Sequence, residues 1–474
     1  MISRNLHLPI LLSAACLLAS CVNGVGPNYV QPERNTARAF LASHSADAVT
    51  NDPPPAEWWK SLNDDQLNDL VGRALRVNND VLAAKANLDA ARAATRSVKG
   101  GFFPSVNANA SYARAKESAA AQGLATELPA VDVYDGTFDA SWEIDIFGRI
   151  NRNVQAARAD AQATEASLND VLVSVVADTV RAYVELRGAQ VRLDVARRNA
   201  ENQKGTYNLT IDLSNGGRGS ELDVARAQSQ YETTLASIAA LEAAEAAAQY
   251  RLAVLVGEQP QQFTLPSGRV ALPVVPASIS IGDPAELLRR RPDVRRAERQ
   301  LEAATARIGV ATADLFPRLS LTGAVGLSAL SFDNLSEQAA FQYSIGPSLV
   351  WNLFAGGATR ARIDQADAQT KAQLAKYDAA ILLALEDAEA SLARFGRERV
   401  RLGHLSSAAL ASARAADFAD QRYRGGIDNF LNVLDAQRSL LAAEDALVQS
   451  QVAAVTQFIA VHKALGVGWQ AATQ

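Results

Sequence analysis

The residue whose neighbours most clearly spell out a chemical step is Cys21. It closes the run Leu18-Ala19-Ser20-Cys21, which looks like a bacterial lipobox, where the cysteine is lipidated and becomes the new N-terminus. Upstream, Arg4 supplies positive charge and Leu8 to Leu18 forms an apolar run of the length a secretory signal uses. A spanning helix would need about 20 apolar residues. The chain has two cysteines, and Cys16 lies inside the signal. Cys21 is then the only cysteine of the mature chain, which leaves no disulfide and no thiolate metal site. The alternative is an ordinary signal with an incidental cysteine. Several acyl chains together would hold the protein on a membrane, so membrane lipid is the first expected partner.

Other reactive constellations do not emerge. His44, His404 and His462 are scattered, and the sequence has neither a Gly-rich phosphate loop nor a nucleophile elbow. No enzymatic activity, cofactor or metal is expected. A formal net charge of -5 argues against a nucleic-acid partner.

The remaining sequence is written twice. Leu88 and Phe103-Pro104 recur 213 residues later as Leu301 and Phe316-Pro317. Trp142 through Gly148 is echoed by Trp351 through Gly356, and Leu222-Asp223-Val224 by Leu431-Asn432-Val433. A unit this long is not a solenoid repeat, which recurs every 20–50 residues. The expected layout is a signal peptide at 1–20, a lipidated linker at 21–63, repeats at 64–270 and 271–466, and a tail at 467–474.

Each repeat reads helix, two strands, long helix, turn, helix. The helices fall roughly at 64–100, 149–214 and 220–256, then at 284–314, 357–424 and 430–466. Asp283 and Pro284 read as N-cap and first helical residue. Gly216-Gly217 and Gly425-Gly426 read as helix-ending turns. Leu168, Leu172, Val175, Thr179, Ala182, Leu186, Ala189, Leu193 and Ala196 step by four and three, which is coiled-coil spacing. At 1.5 Å per residue each long helix spans about 100 Å, matching two shorter helices end to end. A rod of that length is expected.

The strands alternate. Phe138, Ala140, Trp142, Ile144 and Ile146 face one way, and Asp139, Ser141, Glu143 and Asp145 the other; Tyr343 to Leu353 repeats the pattern more loosely. The pattern alone fits equally a membrane barrel with a wet lumen and a soluble sandwich with one solvated face. Strand number separates them. Four strands cannot close a barrel in lipid, where open edges leave backbone groups unpaired. They close only by sharing: two chains give eight strands but few helices to surround a channel, and three give twelve strands with more helices, which favours three. A homotrimer is therefore expected: a 12-stranded β-barrel continued by an α-helical coiled-coil barrel, an α+β membrane protein.

With Trp142-Glu143-Ile144-Asp145-Ile146-Phe147-Gly148-Arg149 and Arg291-Pro292-Asp293-Val294-Arg295-Arg296-Ala297-Glu298 in view, the chain resembles the outer membrane factors of the TolC superfamily, in the lipoprotein branch of OprM and NodT. The resemblance covers nearly all of the mature chain. It implies a trimeric exit duct in the outer membrane with its helical part in the periplasm. It also implies docking to a periplasmic adaptor and an inner-membrane pump, often of the resistance-nodulation-division type, and passive export of drugs or other small toxic compounds.

The resemblance also implies a periplasmic gate. Asp435 matches an aspartate of the family's constriction ring, and Asn432 stands where a second is expected, which halves the charge there. Tyr423 matches a tyrosine that holds the closed state against an aspartate, here Asp223. Asp428 replaces an arginine of a further link. The bland reading of Asp435 is a carboxylate near a helix start. The tips around Gly216, Gly217, Arg424, Gly425 and Gly426 are the expected adaptor contact, with ordinary turn chemistry as the other reading. Trp142, Trp351, Phe103 and Phe316 are expected as an interfacial belt or as packing at the strand–helix junction. A structural coiled-coil lipoprotein would leave the amphipathic strands unexplained. An adaptor would carry one hairpin rather than two.

Overall fold

The computed structural model describes residues 24–33, 37, 39–41, 49–123, 125–126, 128–265 and 271–472. The signal sequence 1–20 and Cys21 lie outside the described residues, as do residues 473–474 of the tail. In chain order the elements are β1 (Val49–Thr50), α1 (Asp65–Val77), α2 (Asn79–Lys99), β2 (Ser105–Ala115), β3 (Val131–Ile144), α3 (Arg149–Asn215), α4 (Glu221–Leu255), β4 (Ile279–Ser280), α5 (Pro284–Arg290), α6 (Pro292–Ala313), β5 (Arg318–Ala329), β6 (Phe341–Val350), α7 (Ala358–Arg424) and α8 (Phe430–Ala464). No helix among the described residues is long and apolar enough to cross a membrane.

The expected long helices appear, each of 67 residues. The expected first helix of each repeat is instead two helices. The chain leaves the helical region at Asn78 (φ -62, ψ 132) between α1 and α2, and at Arg291 (φ -62, ψ 123) between α5 and α6. The second break has a local cause, because Pro292 crowds the residue before it out of helical geometry. The first has one too, because Asn78 Oδ1 accepts from the Asp80 amide at 2.9 Å and so caps α2. Asp283 caps α5 through Glu286 N at 2.7 Å, with Pro284 at the helix start.

The chain divides into two compact units. One comprises Met1–Pro32, Leu88–Thr164 and Ala297–Tyr377. Within it β2, β3, β5 and β6 form one antiparallel sheet in that order, so β2 and β6 are its edges. Register decides the faces. Ala108, Phe138, Val325 and Tyr343 are direct neighbours across the four strands, and the next row, on the opposite face, is Asn107, Asp139, Ala324 and Ser344. Apolar side chains on the first face stay open: Phe138 is 58% and Tyr343 73% exposed.

The other unit comprises Glu33–Asn87, Glu165–Arg296 and Asp378–Gln474. Here the heptad positions of α3 from Leu172 to Ala196 are buried, and the same seam continues in polar residues: Asn199, Gln203, Thr206 and Thr210. The segment expected as a linker contributes β1, which pairs in parallel with β4, and a 3-10 turn at Trp58–Leu62. Trp58 is buried, stacked on His462 at 5.0 Å and edge-on to Phe458 at 5.7 Å. Burial of large side chains of this kind contributes about 2–3 kcal/mol each.

Candidate functional site

The foot of the sheet is built from the Phe-Pro turns. The Trp142 indole Nε1 donates to the Phe102 carbonyl at 2.9 Å, and Trp351 Nε1 donates to the Leu315 carbonyl at 3.0 Å. Each tryptophan thus caps the turn that opens its own repeat's first strand. Trp351 lies one residue past β6, and the alternation expected to Leu353 ends at Val350. Phe103 is 71% exposed, whereas Phe316 stacks on Phe147 at 4.7 Å, so the two phenylalanines differ. At the opposite end of the apolar face Tyr112 packs on Tyr134 at 4.9 Å and Tyr134 on Phe332 at 6.0 Å. The sheet's apolar face therefore carries aromatic rings at both ends. This second cluster was missed by sequence reasoning.

The two helix tips are the same motif. Gly217 (φ 66) donates to Ser214 O and Arg218 N to Leu213 O, at 3.0 and 2.8 Å; Gly426 (φ 71) donates to Tyr423 O and Ile427 N to Arg422 O, at 2.9 Å each. This pairing satisfies the last carbonyls of α3 and α7 and needs a left-handed residue, which glycine supplies without strain. Gly216 and Gly425 continue the helical ladder to Asp212 O and Gln421 O. Ser220 caps α4 and Asn429 caps α8 through the amides of Leu222 and Asn432.

Above the second tip Tyr423 packs on Phe430 at 5.6 Å and joins the cluster of Ala227, Phe430, Val433 and Leu434. Burial raises its phenol pKa, and the Asp223 charge raises it further. Asp223 itself is paired with Arg226 at 3.9 Å. Asp435 is exposed. Asn432 donates to Asp428 Oδ1 at 2.5 Å, and Arg422 pairs with Asp428 Oδ2 at 3.2 Å. The Asn429 amide and then Arg422 hold the Asp428 carboxyl below the usual range. Asp428 and Asn432 thus form one local network, a link that residue spacing does not reveal. Arg424 pairs with Asp420 at 2.8 Å. Further along the polar seam Asn199 reaches Glu444 at 2.7 Å and Gln437 reaches Thr206 at 2.9 Å.

The helix breaks are joints. Asn78 Nδ2 donates to Leu255 O at 3.0 Å, the last residue of α4. Arg291 Nη1 donates to Ala464 O at 2.9 Å, the last residue of α8. Arg291 also pairs with Asp293 at 2.6 Å and Asp387 at 3.2 Å. Burial would lower the Arg291 pKa, but these carboxylates outweigh it and leave it raised. Among the described residues no group of three or more His, Cys, Asp or Glu could hold a metal ion.

A sequence profile described as outer membrane efflux protein matches residues 70–258 and 284–467, one match per repeat. Nodulation protein T of Rhizobium leguminosarum bv. trifolii is 28% identical over 458 residues, covering 96% of both chains. The pyoverdine export outer membrane protein OpmQ of Pseudomonas aeruginosa is 29% identical over 471 residues, covering 98% of this chain and 97% of that one. The solved structure of the outer-membrane channel OprN superposes with a TM-score of 0.88 at 41% identity, over 94% of this chain and 99% of that one.

Proposed function

This chain belongs to the outer membrane efflux protein family, and we propose that three copies of it close one exit duct through the outer membrane. The chain is an outer-membrane efflux channel. The observation that carries the trimer is the sheet: four strands, an exposed apolar face and two edges, β2 and β6. Consecutive strands alternate in direction, so β6 of one copy meets β2 of the next antiparallel, and three copies close a ring of twelve. Closure removes the edges that lipid does not tolerate. The apolar face then meets lipid with aromatic rings at its two rims, Trp142, Trp351 and Phe103 at one and Tyr112 and Tyr134 at the other. Phe316 supports the rim by packing.

The channel works as the outer component of a tripartite system with a periplasmic adaptor and an inner-membrane pump, here of the resistance-nodulation-division type. It conducts drugs or other small toxic compounds passively, and the pump supplies the energy. Acyl chains on Cys21 anchor it to the outer membrane. The tips at Gly216-Gly217 and Arg424-Gly425-Gly426 meet the adaptor. Asp435, Asn432, Tyr423 and Asp223 form the periplasmic gate, with Tyr423 and Asp223 as the latch. Asp435 supplies the ring charge, and Asn432 is held by Asp428 in place of a second carboxylate.

Unheated detergent extracts run on a gel test the trimer. A band at three times the monomer mass that collapses on heating is expected, together with conductance in planar bilayers. A monomer with no conductance overturns the duct. Replacing Cys21 with serine is expected to abolish acyl labelling, and persistent labelling removes the anchor.

A further inference from the structure

Arg152, in the first turn of α3, is only 3% exposed. A buried guanidinium normally has a carboxylate partner. Among the described residues Arg152 has none, and each of its acceptors is neutral. Nε donates to Val25 O at 3.0 Å. Nη2 donates to Gly26 O at 3.1 Å, Asn28 Oδ1 at 2.9 Å and Gly24 O at 3.5 Å. Nη1 donates to Gln155 Oε1 at 2.9 Å. Four of the five contacts go to residues 24–28, and burial alone lowers the Arg152 pKa. A charged side chain has been spent on holding one short piece of backbone.

That piece is also fitted by shape. Val25 N donates to the Phe147 carbonyl at 3.0 Å. Gly148 (φ 77) and Gly24 (φ 65) approach so closely that a Cβ on Gly148 would overlap the Gly24 Cα. A Cβ on Gly26 (φ 87) would lie 2.5 Å from the Gly309 Cα. Tyr29 OH then donates to Glu298 Oε1 at 3.4 Å. Four glycines without side-chain volume, one buried donor and a backbone hydrogen bond make a seat, located three residues beyond the end of β3 at the foot of the sheet.

Gly24 follows Cys21 by three residues, so the chain carries Cys21 no further than about 11 Å from it. We propose that Arg152 is the positioning residue of a seat for the lipid-proximal segment, which mounts the acyl anchor rigidly at the foot of the barrel strands. The anchor is then part of the channel's membrane contact and sets its depth. Without the seat it would be a loose tether. This rests on the lipidation of Cys21 stated above.

Hydrogen exchange read by mass spectrometry on the full-length, membrane-derived channel tests both points in one peptide. The N-terminal peptide's mass reports acylation, and its exchange reports the seat, since the Val25 amide is hydrogen-bonded only when seated. The wild type is expected to show an acylated peptide with a protected Val25 amide. Arg152→Met is expected to keep the acyl mass and exchange at least about a hundredfold faster, with Arg152→Lys between. A wild-type peptide of unmodified mass removes the anchor and with it the proposal. An acylated peptide with equal exchange in wild type and Arg152→Met overturns the seat alone. If Arg152→Met does not reach the trimer, Asn28→Ala carries the test: it removes one acceptor, faster exchange of several-fold is expected, and unchanged exchange overturns the seat.

Discussion

Arg291 stands 213 residues after Asn78, and the two donate to equivalent carbonyls, Ala464 O at 2.9 Å and Leu255 O at 3.0 Å. Each closes the same joint, where the broken first helix of a repeat meets the end of its last helix. The neutral joint needs only an amide. The charged one also gathers Asp293 and Asp387.

Arg291→Met should therefore cost more than Asn78→Ala. It leaves the half-buried Asp293 without its cation, and about 3 kcal/mol is expected, with little from Asp387, which is 61% exposed. Burial would raise the Asp293 pKa, but Arg291 holds it below the usual range. A carboxyl lowered in the folded state stabilises fully above its unfolded pKa of about 3.9, and that contribution is lost as pH falls through the lowered value. The melting difference between wild type and variant should narrow as pH falls below about 5 and on through that lowered value. A difference that stays constant in acid counts against the ion pair.

Trp142→Phe and Trp351→Phe should each lower the temperature at which the trimer dissociates on a gel, by a similar amount. Each loses one hydrogen bond of about 1 kcal/mol and keeps most of its ring. A shift for one and none for the other would show that the two turns are not held alike.

His462 gives the protein a second acid sensitivity. Burial pushes its imidazole down to about 4, despite the contact with the Phe458 carbonyl. The unfolded chain takes up a proton near pH 6.5 and the folded chain does not, so stability falls as pH drops from about 6.5 towards 4, by about 3 kcal/mol in all. His462→Phe should flatten that part of the profile. An unchanged slope in circular-dichroism melts would assign the acid loss elsewhere.

Replacing Asp223 and Tyr423 together, as Asp223→Ala with Tyr423→Phe, should raise single-channel conductance in planar bilayers. The phenylalanine keeps the packing on Phe430, so only the polar part of the latch is removed. Conductance equal to wild type would dismiss it.

Most of this architecture was legible where a residue type has a single physical use. Period-two alternation around Phe138 and Asp139 located the strands, and the glycine pairs located both tips. Heptad spacing followed the buried seam of α3 as far as Ala196. The break at Asn78 was only half legible: asparagine is a preferred helix cap and its Oδ1 takes the Asp80 amide, but its buried bond to Leu255 carries no sequence signal. At Arg291-Pro292 the proline signal was present, yet the pattern ran on as one helix through residue 314. Asn432 was legible as a missing carboxylate, but its bond to Asp428 depends on a turn of backbone that spacing does not specify. Arg152 was hidden because three of its five acceptors are backbone carbonyls, which carry no sequence signature.

The two tips share the hydrogen bonds of their glycine turns but not their leading side chain: Arg218 follows Gly217 where Ile427 follows Gly426. Around three chains the rim alternates cationic and greasy, three of each. A partner that docks on this rim in several identical copies would thus meet two kinds of neighbour, and its copies would bind in two non-equivalent sets. Titration of such a partner is expected to saturate in two steps rather than one.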